Sequence, residues 1–300
     1  MTESLSIWGQ IGILFLGFLV GVYLLACLVL RFGQSRLIFF PSPGIQVTPD
    51  QVGLPYQEVW IPLGTALKTS CKTPAKTWPE PGEMIHGWWI PAKSVTDERV
   101  ILDLHGNRNN IGANLGYAQL FHSLGLSVLL MDYRGYGRSS QRFPSEETVY
   151  QDVEAAWNYL VQDRQVDPKK IFVFGHSLGG AIAIHLATKH PEIAGLIVEC
   201  SFTSIRRMVD HQQKYWMFPI DFLLTQRFDS IAKVSSLSMP TLFTHGTEDQ
   251  VIPLQMTQEL YAASPEPKQL LVVPGAGHNN VAQVGGDLYQ QVVQQFLQQT

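Results

Sequence analysis

Six short apolar runs constrain this chain more than any other feature: Val100–Leu104, Val128–Met131, Ile171–Phe174, Leu196–Val198, Thr241–Thr244 and Leu270–Val273. They are rich in Val, Ile, Leu and Phe and lack polar alternation, so both faces of each strand must be covered, as in a parallel sheet. Helix-prone stretches separate them, near Ile111–Leu124, Glu147–Gln162, Leu178–His190, Gln255–Ala262 and Val284–Gln299. That alternation predicts βαβ units and an α/β fold with a mostly parallel, helix-covered sheet. Gln57–Ile61 and Met84–Ile90 alternate more and predict an antiparallel pair opening the sheet. Between them Pro62–Gly82, with Pro74, Pro79 and Pro81, reads as an exposed loop.

Ahead of this pattern lies the uncharged run Ile11–Leu30. In helical form it is about 30 Å long, the thickness of a bilayer's hydrocarbon core. Trp8 precedes it and Arg31 follows it, as interfacial anchors do. A retained transmembrane anchor is the expected reading. A cleaved signal needs a basic n-region, yet the first ten residues hold Glu3 and no Lys or Arg. A lipoprotein signal, suggested by Leu24–Cys27, stops short of the apolar residues that follow. A soluble core helix would rarely be apolar all round. Arg31 and Arg36 follow the span and no basic residue precedes it, which predicts a single-pass protein with its large domain in the cytoplasm.

Charge narrows the partners. Lys and Arg total 21 against 25 Asp and Glu, for a net charge of −4, so the basic excess of a nucleic-acid binder is missing. Three cysteines make no disulfide framework and have no zinc-ligand spacing, and only Cys71 and Cys200 lie outside the apolar run. No metal and no cofactor are expected.

The chemistry-bearing strings fall at strand ends. Gly175-His176-Ser177-Leu178-Gly179 follows one apolar strand and opens a helix, the G-x-S-x-G arrangement of a nucleophile elbow. Its glycines remove Cβ atoms that would clash across a sharp turn, and Ala181, Ala183 and Ala187 keep the helix slim. A serine hydroxyl needs a base, and the base needs an orienting carboxylate, expected in the order Ser, acid, His. His278 lies in a loop just past the last strand, where ligands meet such a sheet. His185 and His190 sit on the elbow helix, and His245 has no suitably ordered carboxylate. Asp249 is the expected acid, with Glu248 its rival. The oxyanion should be held by backbone N–H groups of Leu178 and of Asn107, in the loop after the first buried strand. His105 and Arg134 are expected in structural hydrogen bonds or ion pairs.

Taken together, L-D-L-H-G-N, D-Y-R-G-Y-G-R-S, G-H-S-L-G-G, H-G-T-E-D-Q-V-I-P and G-A-G-H-N resemble an α/β-hydrolase-fold serine hydrolase from about Tyr56 to Phe296. The anchor and Ser201–Met208 resemble the membrane-anchored group that includes bud-emergence-type and abhydrolase-domain proteins. The resemblance implies Ser177, Asp249 and His278 as a triad acting on esters or thioesters. The expected organisation is an anchor over 1–35, a connector over 36–56 and a hydrolase domain over 57–300, with a lid at about 201–239. That lid carries Met208, Trp216, Phe218 and Phe222, and an apolar lid suits an acyl chain. The same triad also fits an acyltransferase or a serine peptidase, and a non-catalytic membrane adaptor is the remaining alternative. The sequence fixes no oligomeric state. It predicts that removing residues 1–35 leaves turnover of a short soluble ester unchanged.

Overall fold

A computed structural model describes residues 6–63, 82–94 and 98–299. Most of the Pro62–Gly82 loop, and Cys71 within it, lie outside the described residues. The chain opens with helix α1 (Ile7–Gly33) and the short α2 (Ser35–Ile38). Strands β1 (Phe40–Pro41), β2 (Gln57–Pro62), β3 (Met84–Ile90), β4 (Val100–Leu104) and β5 (Arg108–Asn109) come next. The alternating part then runs α3 (Leu115–Ser123), β6 (Ser127–Met131), α4 (Glu146–Asn158), β7 (Ile171–His176), α5 (Leu178–Lys189) and β8 (Gly195–Glu199). Three helices, α6 (Ile205–Gln212), α7 (Ile220–Leu223) and α8 (Ile231–Val234), fill the 201–239 stretch. The chain closes with β9 (Thr241–Gly246), α9 (Leu254–Ala263), β10 (Lys268–Val273) and α10 (Val281–Gln299).

Eight strands form the main sheet in the order β10-β9-β8-β7-β4-β6-β3-β2. β3 runs antiparallel to both neighbours, and the other pairings are parallel. Side chains alternate across it: Val100, Leu102 and Leu104 enter the core beneath α4 and α5, while Ile101 enters the core beneath α3 and α10. The expected antiparallel opening pair is present, but its second member does not alternate. Every residue of β3 is buried, because β3 is interior to the sheet and covered on both faces. From β4 the chain crosses over to β6, and from β7 to β8 on the opposite side, so the loops leaving the adjacent strands β4 and β7 diverge. That divergence opens a crevice at the carboxyl edge of the sheet, the usual ligand position in open α/β sheets.

α1 is the one described helix long and apolar enough to cross a membrane, and only 6% of its most apolar window is buried. A buried core helix is excluded by that exposure. The stretch after it, expected as a connector, is packed onto the domain. Phe39 is in the core, packed edge-on against Phe228 at 6.1 Å. β1 pairs with β5, and Asn110 Nδ2 donates to the carbonyls of Ser42 and Gly44 at 3.1 and 2.8 Å. Residues 38–44 are therefore a strap stitched onto the loop after β4. An aromatic side chain inserted into the core and a run of bonded carbonyls hold it there.

Candidate active site

Ser177 sits at the turn between β7 and α5 with φ 56° and ψ −118°, a strained backbone for a residue with a Cβ. The glycines on either side permit it. A Cβ on Gly175 would lie 2.3 Å from the Gly179 carbonyl oxygen, and one on Gly179 would lie 1.9 Å from the Leu104 oxygen. The elbow is thus wedged against the end of β4. Ser177 N–H donates to the Glu199 carbonyl at 2.8 Å, and Ser201 Oγ donates to the Ser177 carbonyl at 2.9 Å.

The three residues singled out for chemistry meet here. His278 Nε2 is 3.0 Å from Ser177 Oγ, and His278 Nδ1 is 2.7 Å from Asp249 Oδ2. A carboxylate only accepts, so Nδ1 carries the proton and Nε2 is left to accept from the serine. Burial alone would raise the Asp249 carboxyl, but bonds from His245 and His278 and from the Ile252 N–H hold it well below the ordinary carboxylate range. Its other oxygen accepts from the N–H groups of Val251 and Ile252 at 2.8 and 2.9 Å. Glu248 is exposed, and its backbone N–H bonds to the Ala276 carbonyl. His185 stacks on Tyr150 at 3.6 Å and His190 bonds to Glu154, both away from the crevice.

Leu178 opens α5, so its N–H has no intrahelical acceptor. Asn107 lines the same cavity as Ser177 and Leu178. Its carbonyl accepts from Phe40 N–H at 2.9 Å and Tyr136 OH at 2.8 Å, and its side-chain Nδ2 donates to the Ile38 carbonyl at 2.8 Å. The strap thus fixes the loop that carries Asn107. His105 lies behind that loop, Nδ1 2.8 Å from the Gly106 carbonyl and Nε2 3.4 Å from Asp132. Arg134 is buried with Nε bonded to Asp152 at 2.6 Å, the structural role expected of it.

Two histidines hold the site without having been singled out for that role. His176 Nε2 is 2.9 Å from the His278 carbonyl, which makes Nε2 the protonated nitrogen. Burial lowers the pKa of His176, consistent with a neutral ring. His245 Nε2 lies 3.2 Å from Asp249 Oδ2 and 3.0 Å from the Ile252 carbonyl, with Nδ1 2.8 Å from Thr257 Oγ1. The first is the variable position of the elbow string, so its identity carries no motif signal. The second ends a strand, a position that could have flagged it.

His245, Asp249 and Cys200 also form a group of metal-ligand types with ligand atoms within 4.8 Å of one another, which the sequence reading missed because the residues come from separate strand ends. Both His245 nitrogens are already engaged, and burial pushes the Cys200 thiol up, away from thiolate. The arrangement is a hydrogen-bonded cradle for the Asp249 carboxylate.

A cavity of about 400 Å³ opens beside Ser177. Phe202, Met208 and Leu224 line it from the 201–239 stretch, and Leu30, Gln34 and Leu37 line it from the N-terminal side. The sequence predicts only that removing residues 1–35 leaves turnover of a short soluble ester unchanged, with no part for them in lining the site. The structure differs because the C-terminal end of α1 rests on α7: Arg31 Nη1 donates to the carbonyls of Phe222 and Leu223, each at 3.2 Å.

Fold and site together define the class, and comparison with known proteins agrees. The profile of the serine aminopeptidase S33 family matches residues 96–232, a span that contains Ser177 and ends before Asp249. The chain is 34% identical over 267 residues to the uncharacterized protein Rv2307c of Mycobacterium tuberculosis, covering 89% of this chain and 88% of that one. It is 27% identical to the alpha/beta hydrolase domain-containing protein WAV2 of Arabidopsis thaliana, covering 95% and 94%. Among solved structures, the Pyrococcus furiosus esterase Pf2001 superposes with a TM-score of 0.69 at 20% identity, over 87% of this chain and 98% of that one. The chain belongs to the alpha/beta hydrolase family.

Proposed function

We propose that this protein is a single-pass membrane serine hydrolase that cleaves carboxylic esters or thioesters of acyl chains. The observation that carries the reading is the unbroken line of contacts from Ser177 Oγ through His278 to Asp249, at 3.0 and 2.7 Å. Ser177 Oγ attacks the acyl carbonyl as its proton passes to His278 Nε2, and Asp249 stabilises the imidazolium. The N–H groups of Leu178 and Asn107 bind the oxyanion. Collapse breaks the bond to the alcohol or thiol, which leaves with the proton from His278. Water then repeats the sequence on the acyl-enzyme and releases the carboxylic acid. Neither metal nor cofactor enters. The charge bias of Arg31 and Arg36 supports a cytoplasmic catalytic domain.

A peptidase is the second reading, favoured by the S33 profile. An aminopeptidase must hold a protonated α-amine, and a carboxylate is the natural partner. Among the described residues lining the cavity, Arg108 is the charged one and no Asp or Glu is present. That wall suits an acyl chain better. The test is labelling of the full-length protein by a fluorophosphonate, followed by turnover of matched ester, thioester and amide substrates. Labelling that survives Ser177→Ala would remove Ser177 as nucleophile. A faster amide than ester would favour the peptidase.

A further inference from the structure

The end of α1 and the segment before β9 are joined at two levels. At the upper level, besides the Arg31 bonds, Gln34 Oε1 accepts from the N–H groups of Thr225 and Gln226 at 2.8 and 2.9 Å. At the lower level, the Tyr23 ring stacks on Phe218 with centroids 5.7 Å apart, and Tyr23 OH donates to the Met217 carbonyl at 3.0 Å. Tyr23 lies inside the uncharged run Ile11–Leu30. Arg31 is eight positions further on, about 12 Å along a helix axis. A bilayer that buries the run to Leu30 therefore also reaches Met217 and Phe218.

The side chains there suit that depth. Trp216, Met217 and Phe222 are 81%, 61% and 83% exposed, although each is a large apolar group. Such a cluster, continuous with an apolar helix, marks a surface that belongs in lipid. Asp221, the charged residue within α7, is paired with Arg206 at 2.6 Å next to the residues that bond Arg31.

The cavity connects this apolar unit to the nucleophile. Leu30 and Leu37 form its wall on the N-terminal side, and Leu223 and Leu224 form it on the other. We propose that the last turns of α1 and residues 215–224 form one membrane-embedded unit, and that the acyl chain passes through it from the bilayer to Ser177. The substrate is then an acyl chain still resident in the membrane, admitted sideways past Leu30. This rests on the reading of α1 as a spanning helix and of Ser177 as nucleophile. Leu30 and Leu37 become residues that select chain length.

The experiment uses the full-length protein in lipid nanodiscs carrying a long-chain ester, with a short soluble ester assayed in parallel. Leu30→Trp and Leu37→Trp each fill the wall, and the long-to-short rate ratio is expected to fall at least tenfold. Leu28→Trp, on the same helix but outside the cavity lining, should keep the ratio within twofold. An unchanged ratio in both wall variants overturns the route. Independently, lipids brominated on their acyl chains should quench wild-type tryptophan emission more than that of Trp216→Phe. Equal quenching overturns the membrane-embedded unit. Ser177→Ala is run alongside: ester turnover that persists in it breaks the catalytic reading instead, while the quenching still decides whether the unit lies in lipid.

Discussion

The cavity beside Ser177 has two walls of different construction. One is the carboxyl edge of the sheet, where Ser177, Asp249 and His278 are held by backbone bonds, a strained turn and buried histidines. The other is assembled from α1, the strap and the 201–239 stretch, elements far apart in sequence and tied largely through carbonyl contacts. The first wall leaves little freedom to the reacting atoms, which transition-state stabilisation demands. The second presents aliphatic surface from α1 and the 201–239 stretch whose shape can change without moving those atoms, while the strap also holds the loop of Asn107. The difference teaches that chemistry and selectivity are carried largely by different parts of the chain, with the strap as the point where they meet.

Substitutions should separate the walls by size of effect. On the sheet side, Ser177→Ala and His278→Ala are expected to remove nearly all ester turnover, on the order of 10⁴-fold or more, with the thermal transition retained. Asp249→Asn should lose about 10⁴ by presenting His278 with the wrong partner, and Glu248→Gln should stay near wild type. A dead Glu248→Gln beside an active Asp249→Asn would reverse the assignment of the acid.

Truncation tests the other wall. Deleting residues 1–22 spares every contact described between α1 and the body, so short-ester turnover in detergent should change less than twofold. Deleting 1–44 also removes Phe39 and the strap beneath Asn107, and should cost about 10²–10³ in turnover, the usual loss on removing one oxyanion donor. If both truncated proteins matched wild type, the strap would have no part in setting the loop. With a cut at residue 35, Leu30 and Gln34 leave the wall, which adds a second reason for long acyl chains to suffer more than a short soluble ester.

A finer probe is His176→Phe. It keeps a ring but loses the bond to the His278 carbonyl, and a misplaced base should lower kcat by up to about 10² with KM little changed. An unaltered kcat would show that the rest of the loop holds His278 unaided. The smallest expected effect is from exhaustive chelation. Full activity afterwards is expected, because the nitrogens of His245 are occupied by protein partners. Activity lost on chelation and restored by a metal would mean that Cys200, His245 and Asp249 hold an ion.

Much of the sheet was legible in the sequence because its strands are apolar on both faces. Val100–Leu104 and Met84–Ile90 coincide with observed strands, and the remaining runs lie within longer ones. The elbow was legible because its turn imposes glycine at fixed local offsets. Bringing Asp249 and His278 toward Ser177 required only that each follow a strand ending at the same edge. The docking of α1 was not legible. Arg31, Gln34 and Asn107 bond to backbone carbonyls, and a carbonyl has no side-chain identity for a sequence pattern to reveal. Hydropathy likewise marks Ile11–Leu30 as one run, although its last turns meet protein on one side.

The pairing of Pro62 with Met84 across β2 and β3 closes a smaller ring inside the one that the pairing of β1 with β5 closes from Phe40 to Arg108. The entropy of closing such a ring grows only with the logarithm of its length. Lengthening the smaller ring, which spans the segment between β2 and β3, by a dozen residues would cost about 0.4 kcal/mol. The ring is therefore a cheap place for insertions. Residues can be added between β2 and β3 while the register that seats Asn107 beside Ser177 stays the same.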